Sequence, residues 1–290
     1  MSEFEIVLLK TGINSLRSLE HGETFHPVTG PRMEANILHV RQQRLVERCE
    51  ATPASNKFVI WDIGFGAGAN VLAAIEALAE LSKRDETQNA CEIEIHSFDK
   101  TTSPIEFALE HQDELEYLSE HEAGLRELLS SGHVPLGPRA SWQLHLGDFR
   151  ELLRENLKVK QWPAPHAILY DPYSPTGNPE MWTLEHFQAL RQALSPETPC
   201  LLTNYTRSTA MRVTWLLAGF HVGIGCEVGE KAETTIVTNQ LALLERPLEK
   251  KWLERVRISG NSAPLRADAY SKGQISPEDF GALLECPQFQ

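Results

Sequence analysis

A mostly parallel α/β sheet covered by helices on both faces is the fold class the sequence predicts, from three observations. Short continuous apolar runs alternate with stretches of helical spacing, several of those runs end on an acidic residue, and a glycine cluster joins one inner run to a helix. With 290 residues, the chain has room for one large α/β domain with appendages, or for two small domains.

Residues 1–56 are polar and rich in turn formers (Thr11-Gly12, His21-Gly22, Thr29-Gly30-Pro31), which predicts a lid or hairpin ending in a helix over Glu34–Arg48. Phe58-Val59-Ile60-Trp61 reads as a buried strand running into Asp62 and the glycines, followed by a helix over Asn70–Leu81. A second strand, Ile93–Phe98, ends on Asp99-Lys100 and precedes an acidic helical stretch from Pro104 to about Ser130. Trp142–Leu146 ends on Gly147-Asp148, and Ala167–Tyr170 ends on Asp171. A helix over Thr183–Leu194, a strand over Cys200–Tyr205, a helix over Ala210–Ala218 and late strands near His221–Ile224 and Thr234–Leu244 complete the pattern. The expected division is a lid at 1–56, the α/β body at 57–246 and a tail of helix plus extended arm at 247–290.

Lys+Arg number 27 against 40 Asp+Glu, a net charge of −13, so the average surface repels phosphate and anionic lipid. A nucleic-acid partner then needs a local basic patch. The five cysteines are odd in number, far apart in sequence and never CxxC, which disfavours a disulfide framework or a zinc site and suits a reducing cytoplasm. The first ten residues resemble neither a signal peptide nor an anchor, and no later run reaches the ~20 apolar residues of a membrane span, so a soluble protein is expected.

Asp62-Ile63-Gly64-Phe65-Gly66-Ala67-Gly68-Ala69-Asn70 sets three alternating glycines between strand and helix. Glycine permits the tight turn and close approach of a ligand to backbone amides. The spacing is GxGxG, neither a dinucleotide fingerprint nor a phosphate loop, and no Lys-Ser/Thr follows. An acid just before the glycines suits the sulfonium and ammonium of S-adenosylmethionine better than a pyrophosphate; a ligand-free tight turn is the alternative. Asp99 stands where a ribose diol is held in such folds, its distance from Asp62 stretched by an insertion around Lys83–Asn89, and a surface acid is the competing reading. Asp148 and Phe149 offer a carboxylate and a ring to an adenine, or are simply a turn acid and a core ring.

Tyr170-Asp171-Pro172-Tyr173-Ser174-Pro175 follows the fourth strand, where a methyl acceptor meets the donor. Asp171 is placed to orient an amine, and the proline-bounded aromatic loop to form a slot for a planar base; a plain Asp-Pro turn is the alternative. The eleven histidines form no HExxH pair, so no metal is expected. Ser174 lacks a GxSxG elbow, and the acidic 106–127 stretch reads as a solvated helix face.

Residues from Asp171-Pro172-Tyr173 through Asn178-Pro179-Glu180-Met181-Trp182-Thr183 resemble the D-[GA]-F-[AS]-P-x-x-N-P-[ED]-[ML]-W signature of MnmC-type methyltransferases, which methylate the aminomethyl group of wobble uridine in certain tRNAs. Asp62 to Asn70 is similar to that family's E-[LI]-G-F-G-T-G-L-N. Gly22-Glu23-Thr24-Phe25-His26 with Gly30, Glu34 and His39-Val40, then Thr203–Phe220 and Gly229-Glu230-Lys231-Ala232-Glu233-Thr234, resemble further family segments, so the likeness spans residues 14–245. Departures are Pro172, Gly177 in place of a common lysine, and Ala232 in place of an arginine.

The resemblance implies a class I, Rossmann-like fold with a seven-stranded, mostly parallel sheet, S-adenosyl-L-methionine as cofactor and Asp171 as the acceptor-site residue. Expected cofactor contacts are Asp62, Gly64, Phe65, Gly66, Gly68, Asn70, Asp99, Asp148 and Phe149. Expected substrate contacts are Glu34, Tyr173, Asn178 and Trp182. Candidate tRNA contacts are Arg32, Arg41, Arg44, Arg48, Arg207, Arg212, Lys250, Lys251, Arg255 and Arg257. Only one glycine fingerprint occurs, so the flavin-dependent oxidase fused in some members is expected to be absent, leaving the methylation half. Rival readings are a small-molecule amine N-methyltransferase, a polyamine aminopropyltransferase, and a non-catalytic cofactor- or RNA-binding module.

Overall fold

A computed structural model describes residues 3–84, 90–229, 232–266 and 269–290. The N-terminal hairpin pairs β1 (Phe4–Leu8) with β2 (Asn14–Ser18) antiparallel, Phe4 opposite Ser18. The helical segment after it is interrupted. α1 (Pro31–Ala35) runs into a π-helical turn, Asn36–Arg41, and Arg44 takes a left-handed φ of 49° before α2 (Leu45–Glu50). Tertiary bonds set this path, since Gln43 Nε2 donates to Ile168 O at 3.0 Å and His39 Nδ1 meets Thr203 Oγ1 at 2.8 Å.

The body alternates β3 (Lys57–Ile63), α3 (Ala69–Ser82), β4 (Glu92–Asp99), α4 (Ser103–Glu110), α5 (Glu122–Ser131), β5 (His133–Gly137), β6 (Ala140–Leu146), α6 (Phe149–Val159), β7 (Ala167–Tyr170), α7 (Leu184–Ala193), β8 (Leu201–Asn204), α8 (Thr209–Leu217), β9 (His221–Ile224) and β10 (Thr235–Thr238). Their sheet order is β5-β6-β4-β3-β7-β8-β10-β9. Strands β6, β4, β3, β7 and β8 are parallel, while β5 and β10 are antiparallel to their neighbours. The main sheet has eight strands among the described residues where seven were expected. The addition is β5, whose Pro135 hid it from pattern reading and is tolerated because the strand is a bulged edge. The insertion expected at Lys83–Asn89 lies mostly outside the described residues.

β3 is buried on both faces, as a central parallel strand must be. Its alternation sends Val59, Trp61 and Ile63 to a core shared with Tyr170, Phe187 and Trp215, and Phe58 and Ile60 to a core shared with Val71, Leu72 and Trp142. The 247–290 segment packs into the first of these. α9 (Trp252–Ile258) contributes Leu253 and Val256, α10 (Pro277–Leu284) contributes Leu283, and Phe289 follows. The cysteines are free thiols; Cys49 and Cys91, far apart in sequence, bring their sulfurs to 3.7 Å. No described helix is long and apolar enough to cross a membrane.

Candidate active site

Register places the site. Ile63 pairs with Phe98 on one side and Tyr170 on the other, so Gly64, Asp99 and Asp171 emerge side by side at the carboxyl ends of three parallel strands, where ligands of such sheets bind. Asp99 pairs with Leu146, which adds Gly147 to the same row. These residues line one cavity of about 720 Å³ that also takes in the hairpin segment, within the range of small-molecule sites.

The glycine turn folds against the acceptor loop. Gly64 has φ 90°, and a Cβ there would lie 2.6 Å from the Asp171 carbonyl oxygen, so only glycine fits. The Asp171 amide donates to Ile63 O at 2.9 Å, and Asn70 Nδ2 donates to Asp171 Oδ2 at 3.0 Å. Gly66 N donates to Asp99 Oδ2 at 2.8 Å, and Lys100 N and Thr101 N donate to Asp99 Oδ1 at 2.7 and 3.4 Å, leaving acceptor capacity on Oδ2 for a ligand hydroxyl. Burial raises the Asp99 carboxyl, opposed by those backbone bonds.

Of the expected cofactor contacts, Gly64, Phe65, Gly66, Asn70, Asp99 and Phe149 line the cavity, and Gly68 caps α3 behind it with φ 79°. Asp62 does not reach it. It lies inside its strand, opposite Leu169, where it is 1% exposed and accepts from Ser97 Oγ at 2.8 Å. Burial pushes its carboxyl up to about 7, against the Ser97 bond and with the charges of Asp99 and Asp171 adding. Asp148 also departs from expectation. It caps α6, and Arg150 Nη2 takes its Oδ2 at 2.7 Å, which holds the carboxyl down at about 2 and turns it from the cavity.

Among the expected substrate contacts, Glu34, Tyr173 and Asn178 line the cavity. Glu34 Oε1 accepts the Val28 and Thr29 amides at 2.9 Å, holding that loop over the site. Tyr173 has φ 55°, a left-handed conformation that a bulky residue adopts only when its surroundings impose it. One face of its ring is packed against the tilted ring of His21, centroids 4.1 Å apart, so that face is not an open platform for a base. Trp182 is a correction: it is wholly buried in the core and its Nε1 donates to Tyr173 O at 3.1 Å, supporting the loop from beneath.

Two of the candidate RNA contacts are structural. Arg212 has a 1% exposed side chain bonded to Glu233 Oε1, Thr235 Oγ1 and Thr234 O, and Arg48 donates to the His166 and Pro199 carbonyls. Arg32, Arg44, Lys251 and Arg257 pair with Glu76, Glu245, Glu249 and Glu254. Arg41, Arg207, Lys250 and Arg255 are exposed, with no carboxylate partner among the described residues. Glu230 and Lys231 lie outside the described residues.

Sequence reasoning missed the cavity-lining His21, Glu23, Phe25, Lys100, Tyr117 and Tyr205. Only Gly22 to His26 carried a signal, through the family resemblance. Carboxylates of Glu3, Glu20, Glu23, Glu34, Asp99, Asp171 and Glu180 outnumber the cation of Lys100, so the lining favours positive ligands. S-adenosylmethionine fits this chemistry: the glycine turn admits it to backbone amides, Asp99 keeps acceptor capacity for a ribose, and the buried Oδ1 of cavity-lining Asn70 has no protein donor, as suits an ammonium. No group of acids, histidines or cysteines able to hold a metal occurs among the described residues.

The family of S-adenosyl-L-methionine-dependent methyltransferases matches residues 118–240. Fold and site resemble those of class I methyltransferase domains that use this cofactor. Within the class, the similarity is to the MnmC proteins. The tRNA 5-methylaminomethyl-2-thiouridine biosynthesis bifunctional protein MnmC of Ectopseudomonas mendocina is 29% identical over 255 residues, 84% of this chain and 36% of that protein. Its counterpart in Aeromonas salmonicida is 31% identical over 57% of this chain and 25% of its own length. The chain thus spans roughly a third of the length of such relatives. The crystal structure of MNMC2 from Aquifex aeolicus superposes with a TM-score of 0.68 at 24% identity, covering 98% of this chain and 84% of that one, which establishes the shared fold.

Proposed function

We propose that this chain methylates the primary amine of 5-aminomethyluridine, with or without a 2-thio group, at the tRNA wobble position. The observation that carries the reading is Asp171, bonded to Asn70 of the cofactor helix and set beside the glycine turn in a single cavity. The MnmC relatives, named for tRNA 5-methylaminomethyl-2-thiouridine biosynthesis, suggest the substrate. Bound at the glycine turn, S-adenosylmethionine supplies an activated methyl carrying its own leaving group, so positioning the nucleophile is the protein's main task.

An amine attacks only through its lone pair, so the acceptor must lose its proton before transfer. The Asp171 carboxylate accepts N–H bonds from the amine and aims that lone pair, although it also favours the protonated form. The acidic lining draws in the aminomethyl arm and keeps phosphates outside, where Arg41, Arg207, Lys250 and Arg255 are free to meet them. A tRNA substrate is consistent with a cytoplasmic location.

Mass spectrometry of wobble nucleosides, after incubation with labelled cofactor and tRNA lacking the methyl group, tests the reading. A labelled methylaminomethyl nucleoside, with tRNA binding that weakens steeply as salt rises, is the expected result. Label appearing only on a polyamine or other small amine would overturn it in favour of a small-molecule enzyme.

A further inference from the structure

The hairpin side of the cavity is tied to the acceptor loop, above all through Glu23. Glu23 Oε2 accepts the Ser174 amide at 3.0 Å, and its Oε1 accepts the Ser174 hydroxyl. The same hydroxyl accepts the Gly177 amide at 3.1 Å, and His21 Nδ1 meets Gly177 O at 3.1 Å. Beside these bonds, Tyr173 is packed between His21, ring centroids 4.1 Å apart, and the edge of Phe25 at 5.4 Å. The glycine at 177 is part of the arrangement, because a Cβ there would lie 2.3 Å from Glu23 Oε1. Lysine, common at this position in the resembling family, would displace the carboxylate.

We propose that Glu23 is a positioning residue. Its carboxylate latches residues 174–177 to the N-terminal segment, and through that loop it holds Tyr173 in its left-handed conformation and Asp171 in register with the cofactor turn. Two hydrogen bonds to one carboxyl group are strong enough for the task, and both partners are only partly exposed, so water competes weakly. Gly177 is the small residue that admits the latch. The role deepens the proposed methyl transfer and rests on it for its catalytic meaning, whereas the latch itself is a property of the protein alone.

Hydrogen–deuterium exchange across residues 171–178 reads the latch without any substrate. Glu23→Ala should speed exchange there by at least about tenfold, the factor expected for losing both hydrogen bonds. Cofactor affinity, measured by calorimetry, should stay within about twofold, and kcat for the amine acceptor should drop by about tenfold. Glu23→Gln keeps one acceptor oxygen and should recover part of both losses. Gly177→Ala should reproduce the effect in the presence of Glu23 and add little in the Glu23→Ala background. Unchanged exchange in Glu23→Ala, or an equal cost of Gly177→Ala in both backgrounds, would overturn the proposal. If no protein transfers methyl to any amine, the functional reading fails while the exchange data still decide the latch. Should Glu23→Ala not fold, Glu23→Gln and Gly177→Ala carry the same test.

Discussion

Asn70 Nδ2 lies 3.0 Å from Asp171 Oδ2, joining the first turn of the helix after the glycines to the carboxylate at the end of a strand 101 residues further on. One side chain thereby sets the acceptor group relative to the turn that receives the cofactor. Asp171→Ala should lower methyl transfer by roughly 100-fold or more, since misplacing a reacting group costs that much, while cofactor affinity changes little. Asn70→Ala removes only the tether and should cost about tenfold in kcat. Single-turnover kinetics with parallel binding measurements check both. Unimpaired turnover in Asp171→Ala would remove the residue from the reaction and favour a different acceptor site.

Gly64 is where the two halves of the site touch. Its φ of 90° and the 2.6 Å approach of the Asp171 carbonyl leave no space for a methyl group. Gly64→Ala should destabilise the fold by about 3 kcal/mol, combining backbone strain with displacement of a buried loop. Urea unfolding gives the number, and a loss under about 0.5 kcal/mol, the range of an ordinary surface substitution, would contradict the contact.

Asp62 predicts a pH dependence. Its folded carboxyl is pushed up to about 7 by burial, above the ordinary 3.8. The folded state therefore holds a proton that the unfolded state releases between those values, so this group removes stability as pH rises from about 4 to 7, and the loss levels off above that. Asp62→Asn keeps an oxygen for the Ser97 hydroxyl and cannot ionise. The Tm difference, variant minus wild type, should grow from pH 5 to pH 8. A constant difference across that range would show that Asp62 is not protonated in the folded protein.

Arg212 and Arg207 separate structure from RNA contact. Arg212→Ala strips Glu233, Thr235 Oγ1 and Thr234 O of a buried partner, and should cost on the order of 3 kcal/mol. Arg207 is exposed, so Arg207→Ala should leave stability within about 0.5 kcal/mol. It should also lower the salt slope of tRNA binding by about one if it meets a phosphate. Thermal melts and salt titrations distinguish the two residues.

Much of the site was legible because a strand in a parallel sheet is a local signal. Phe58 to Trp61, Ile93 to Phe98 and Ala167 to Tyr170 each announce a buried strand and mark its end, and the topology of such sheets brings those ends together. How deep an acid sits relative to the edge of the sheet is not local. Asp62 and Asp171 each follow an apolar run, yet Asp62 lies inside its strand, opposite Leu169 and bonded to Ser97, whereas Asp171 lies past the end of β7 and reaches the cavity. Asp148 stands where its carboxylate suits adenine, but Arg150 two residues on claims it.

By itself, the chain of residues determined the α/β class, the glycine turn, the row of strand-end acids and the acceptor loop, all carried by periodicity and by short contiguous motifs. Tertiary structure alone decided that Trp182 and Arg212 are buried supports and Arg48 a half-buried one, that the helix after the hairpin breaks into a π turn, and that Glu23 reaches Ser174. The physical reason is separation along the chain: Glu23 and Ser174 are 151 residues apart, and no local propensity encodes a hydrogen bond that exists only after the sheet has closed the distance.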